Sequence, residues 1–153
     1  MCARNPTSRR LLFAAALIAL LSAGCAPTIS PYSHVAYQYG VDLKVDALRL
    51  MDDAEEPFTD HERRVERIRI ELQKAFEFAR GRPLNEHSTS QWKIMIDPEN
   101  HLIGGFLARW ESEKQLSRPF IAESQRLVAT AFDRIIQLES GKIRADSDRE
   151  ETP

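Results

Sequence analysis

The sequence predicts an all-α fold: a small up-and-down helical bundle of three long helices and a shorter helical hairpin, behind an N-terminal processing segment and a short tether. Three observations predict it. Apolar residues recur at spacings of three and four over three long stretches, helix start and stop signals bracket those stretches, and nothing alternates with period two for long enough to be a strand. At 153 residues the chain is of single-domain length, and 42% hydrophobic residues are enough to bury a core.

The first 24 residues fall outside that fold. Arg4, Arg9 and Arg10 precede the uncharged run Leu11 to Ser22, and the small residues Ala23 and Gly24 follow. A basic start, a short apolar run and a small-residue end form the layout of a secretory signal peptide over 1–24. A membrane span needs roughly 20 apolar residues, and this run is shorter. The segment carries three arginines and no acid, so its removal takes the formal charge from −2 to −5. An acidic body argues against nucleic acid as a partner, because such binders cluster basic charge to displace counterions from phosphates.

Leu21-Ser22-Ala23-Gly24-Cys25 resembles the lipobox of bacterial lipoproteins, with Ser22 standing where that pattern usually has a larger aliphatic residue. The resemblance implies cleavage between Gly24 and Cys25 and attachment of diacylglycerol to the Cys25 thiol. It also implies acylation of the new amine, as in most Gram-negative bacteria. Two or three acyl chains anchor a protein stably, where one gives only reversible attachment. Ala26 stands where enterobacterial lipoproteins retained in the inner membrane carry aspartate, so the expected location is the outer membrane, facing the periplasm. Cys2 and Cys25 are the chain's two cysteines, and processing removes one and lipidates the other, which leaves no thiol for a disulfide.

Residues 25–32 read as the lipidated N-terminus and an extended tether. Pro27 and Pro31 interrupt any periodicity, and the six residues after Cys25 reach only about 20 Å. Tyr32 at the end of the tether and Tyr37 and Tyr39 at the start of the body at 33–141 are expected to pack on the bundle. The first helix spans about Ser33 to Glu55 on a stripe of Val41, Val45, Leu48 and Met51, widened by Leu43, Ala47, Leu50 and Ala54. Pro57 breaks it. Thr59 and Glu62, three apart, form a capping-box pattern for a second helix whose seam is Val65, Ile68, Leu72, Ala75 and Ala79. Gly81 and Pro83 close that helix.

A polar turn is expected over Asn85 to Thr89, then a short apolar segment from Trp92 to Ile96. Asp97-Pro98 reads as a cap with proline at the first helical position, opening a helix that carries Leu102, Ile103, Phe106, Leu107 and Trp110. Ser117 caps the last helix, with a stripe of Ile121, Ser124, Val128, Ala131, Ile135 and Leu138 that Phe120, Leu127 and Phe132 broaden. Gly141 ends it. The charged segment 142–153 reads as a disordered polar tail.

No catalytic constellation emerges. None of His34, His61, His87 or His101 follows a glutamate by three, so the di-iron bundle signature is missing, and no His-Glu-x-x-His zinc pair or Gly-x-Ser-x-Gly elbow occurs. No cofactor, metal or catalytic residue is assigned. Six carboxylates between Asp52 and Glu62 lack the alternation and central glycine of a calcium loop. His61 and His101 are both expected at the surface.

Gly104 and Gly105 are the most informative body residues. Each glycine inside a helix costs about 1 kcal/mol relative to alanine, so close backbone approach should compensate. Tight helix packing is the first explanation, and the second is a partner or ligand groove made of Gly104, Gly105, Phe106 and Trp110. With Glu56-Pro57-Phe58, the 79–83 stop and Leu138 to Lys142, this segment resembles the body of small helical lipoproteins of proteobacteria over most of 41–142. That resemblance implies a fold and a location but no activity.

The expected function is therefore a non-enzymatic cell-envelope lipoprotein, anchored in the membrane through Cys25, that binds another envelope protein. The alternative is a carrier of a small apolar ligand in a bundle pocket. Cys25→Ser should release the protein from membranes or leave it as uncut precursor. Mass spectrometry of the wild-type mature protein checks this: an acylated Cys25 at the N-terminus is expected, and an unmodified internal thiol refutes it.

Overall fold

A computed structural model describes residues 30–141, so Gly24, Cys25, most of the expected tether and the 142–153 tail lie outside the described residues. Within them the chain is all-helical, with five α-helices and no strand. They are α1 (His34–Asp52), α2 (Phe58–Arg80), α3 (Glu86–Ile96), α4 (Ile103–Glu113) and α5 (Arg118–Glu139), with a single 3-10 turn at Asp53–Glu55. Among the described residues no helix is long and apolar enough to cross a membrane.

Helix α1 packs against α2 and α5, α3 packs against the same two, and α4 rests on α2 and α3. The seam expected for α2 is the seam found: Val65, Ile68, Leu72, Ala75 and Ala79 are all buried. In α5, Ile121, Ser124, Val128 and Ile135 are buried as expected, with Phe132 beside them, while Ala131 is only partly buried. The α1 stripe is corrected. Leu43, Ala47, Leu50, Met51 and Ala54 face the core, and Val45 is 43% exposed. Contact with two neighbours at once turns the face centred on Ala47 inward and carries Val45 out. Gly40 serves that contact, since a Cβ there would lie 2.9 Å from Ile136 Cγ1 of α5.

Four start signals act differently from their expectation. Helix α2 begins at Phe58, with Pro57 as its cap, and the Thr59 hydroxyl turns to Asp60 Oδ1 at 3.5 Å, so no capping box forms. Burial of Phe58 decides this: its ring meets Trp110 edge-on at 5.6 Å, and its amide donates to Lys114 O at 2.8 Å. The 86–89 stretch is helix instead of turn, because Ser88, Trp92 and Met95 form a buried helical stripe that begins with a polar residue. Asp97 caps no helix. Its Oδ1 accepts from Glu99 N at 2.9 Å and its Oδ2 from Asn100 Nδ2 at 2.8 Å, organising a turn that delays α4 to Ile103. Ser117 holds the N-cap position of α5 without a side-chain cap bond.

Helix ends show the same division. Gly141 takes the left-handed conformation, φ 71°, that an αL stop requires. Gly81 does not, at φ −75°; the left-handed residue of the α2–α3 connection is Leu84, at φ 55°.

The start of the described chain, the last residues of the expected tether, is fastened to the body. Ser30 N donates to Leu84 O at 2.7 Å, and Arg82 donates both to Pro31 O and to the Glu139 carboxylate. Glu139 is buried at 3% exposure and its Oε1 has no hydrogen-bond partner. Tyr39 packs on Phe78 at 5.7 Å as expected, whereas Tyr32 is 60% exposed.

Ile135→Ala removes a fully buried side chain and should cost about 2 to 5 kcal/mol of unfolding free energy in denaturant titrations. Val45→Ser on the outward face of α1 should change it by less than about 0.5 kcal/mol. Equal costs would place α1 in the wrong rotation.

Candidate functional site

Two cavities flank the turn between α3 and α4. The larger, about 420 Å³, lies between that turn, α4 and α5, and its wall includes His101, Gly105, Phe106, Arg109, Phe120 and Leu127. The smaller, about 390 Å³, lies on the α2 side and is lined by Leu72, Ile96, Gly104 and Leu107 among others. Pro98 borders both.

The glycine pair makes this arrangement possible. A Cβ on Gly104 would lie 2.7 Å from Asp97 O and closer still to Ile96 O; one on Gly105 would lie 2.8 Å from Asn100 C and closer still to Asn100 O. Real side chains do not tolerate such approaches to backbone atoms. The compensating contact is therefore with the chain's own preceding turn, which the first turn of α4 presses against.

The four residues expected to share one groove are separated. Gly105 and Phe106 border the larger cavity, and Gly104 faces the smaller. Trp110 borders neither: it is fully buried, its Nε1 donates to Glu56 O at 3.1 Å, and it packs against Phe58 and His61. Successive residues of a helix point about 100° apart, so neighbouring glycines open to different sides.

Phe120 and Leu127 are the groove residues that sequence reasoning assigned to the α5 stripe. They stand seven apart with Ser124 between them, along one edge of α5. The Phe106 and Phe120 rings stack with centroids 6.0 Å apart and planes 2° apart, and the Arg109 guanidinium lies 4.1 Å from the Phe120 centroid. Stacking and cation–π contact fix the ring's orientation. Arg109 is held over it by Glu113, Nε to Oε1 2.7 Å. Leu127 remains 39% exposed on the groove's edge. At the rim, a hydrogen bond from Arg126 holds the Glu123 carboxyl below its ordinary pKa. His101 is exposed, as expected.

His61 is not the surface residue expected. It is 9% exposed, its Nε2 pairs with Glu56 Oε2 at 2.8 Å, and its ring lies 5.4 Å from the Trp110 ring. Three of the corner's other carboxylates have separate partners, Asp53 with Arg64, Glu55 with Arg118 and Asp52 with Gln125, and Asp60 accepts from the Thr59 hydroxyl. Among the described residues no three His, Cys, Asp or Glu side chains converge to hold a metal ion.

Compared with protein-family models, curated proteins and solved structures, the chain matches none.

Trp110→Phe keeps an aromatic ring in the core but strands Glu56 O and should cost about 1 to 3 kcal/mol by denaturant unfolding. A cost under about half a kilocalorie would mean that the corner is held without this bond.

Proposed function

We propose that this chain is a non-enzymatic envelope lipoprotein, anchored through Cys25 in the outer membrane and facing the periplasm, whose body binds an envelope protein. The three long helices and the α3–α4 hairpin run up and down in this account, joined by short connections as antiparallel neighbours are. One observation carries the binding role: the groove between α4 and α5 pairs stacked Phe106 and Phe120 with an exposed Leu127. Aromatic and aliphatic walls beside a held guanidinium favour a partner that inserts an apolar side chain, and they hold such a group without transforming it.

The carrier alternative has weaker support. The bundle interior is occupied by Trp92, Trp110, Phe132 and the aliphatic residues around them, and both larger cavities lie at the surface between helices.

A photo-crosslinking amino acid at Leu127 should give a discrete protein adduct in intact cells, and one at Ile70, which is at least as exposed on α2, should not. Leu127→Asp should remove capture by the wild-type partner while leaving the melting temperature within about a degree or two, as surface substitutions do. Adducts of equal yield from both positions would refute a partner seated in the groove.

A further inference from the structure

A third cavity, about 230 Å³, opens between α1 and α2, and three of its six lining residues are arginines: Arg49, Arg64 and Arg67. This concentration is unusual in a chain of formal charge −2. Arg64 and Arg67 stand three apart on α2 and so share a face, with Arg49 opposite them in the last turn of α1. Arg64 is committed through Nη1 to Asp53, and that nitrogen also lies 3.4 Å from His61 Nδ1, so its position is fixed from behind. Arg49 and Arg67 have neither a hydrogen-bond nor an ion-pair partner among the described residues, although nearly every other arginine of the body does. The floor is apolar, formed by Leu50 and Ile68, both buried.

Guanidiniums are planar forks matched to tetrahedral oxyanions, and an apolar floor strengthens charge-assisted hydrogen bonds by excluding water from one side. We propose that the α1–α2 groove binds a phosphoryl group, with Arg49 and Arg67 closing on its oxygens from the two helices and Arg64 as the fixed third donor. Asp46, the one acid lining the cavity, stands a turn before Arg49 and opposes the anion, so it limits affinity. Two sources carry this chemistry, free inorganic phosphate and the headgroup of an anionic phospholipid. The site is separate from the α4–α5 groove and does not rest on the function proposed for it.

Calorimetric titration of the full chain in a non-ionic detergent, at ionic strength fixed with chloride, tests it. Inorganic phosphate is the probe in one arm and a short-chain, water-soluble phosphatidylglycerol in the other. Saturable binding is expected in at least one arm. Arg49→Gln with Arg67→Gln should weaken it by about tenfold or more, as loss of charge-assisted bonds does. Asp46→Asn should tighten it severalfold. All three positions are exposed, and an unchanged helical spectrum checks that the variants fold. Binding of phosphate at least as tight as that of the lipid assigns a free anion, and tighter binding of the lipid assigns a headgroup. No saturable heat in either arm, or binding indifferent to the double glutamine variant, overturns the site.

Discussion

The turn from Ile96 to Gly105 is the constraint on which the α4 half of the molecule depends. There the first turn of α4 lies against backbone atoms of Ile96, Asp97 and Asn100 at distances that only glycine permits. Asp97 prepares the turn by accepting from Glu99 N and Asn100 Nδ2, and the glycines then let the chain reverse without a gap. Because α4 starts where this contact puts it, Ile103, Phe106, Leu107 and Trp110 all reach the core. The same placement brings Phe106 to Phe120 and leaves the groove beside it.

At its other end α4 is held by polar and aromatic contacts. Trp110 bonds to Glu56 O, Phe58 N bonds to Lys114 O, and Leu116 N bonds to Ala54 O, which tie the α1–α2 corner to the α4–α5 corner. Across the bundle, Arg82 joins Pro31, the α2–α3 connection and Glu139 at the end of α5. Breaking one partner of a buried ion pair costs far more than the pair contributes, so this clamp specifies an arrangement more than it adds stability. In the proposed anchoring, only the residues between Cys25 and Ser30 separate the lipid from that clamp, a reach of roughly 3.3 to 3.6 Å per residue. The body would sit within about 20 Å of its membrane.

Where one helix face was unambiguous, the sequence was enough to find it. The α2 seam has a single apolar stripe between charged flanks, so periodicity located all five of its residues. Helix α1 has apolar residues on two adjacent faces, and only contact with both α2 and α5 selects between them. Helix α3 was obscured because its inward stripe starts with Ser88, and His61 because its burial depends on Glu56 and on Trp110, far away in sequence. At the candidate site the glycine pair was legible as a close approach, but not what approaches. Phe120 and Leu127 looked like a widened core stripe, and only the position of α4 separates groove wall from core.

The most direct test of the central constraint is the unfolding free energy of Gly104→Ala and Gly105→Ala. Helix propensity alone would make each variant more stable by about 1 kcal/mol. Close backbone approach predicts the opposite sign, a loss of about 1 to 3 kcal/mol or more for each, since neither the Ile96–Asp97 backbone nor Asn100 can withdraw without moving α4. A gain in stability for both variants would contradict the account.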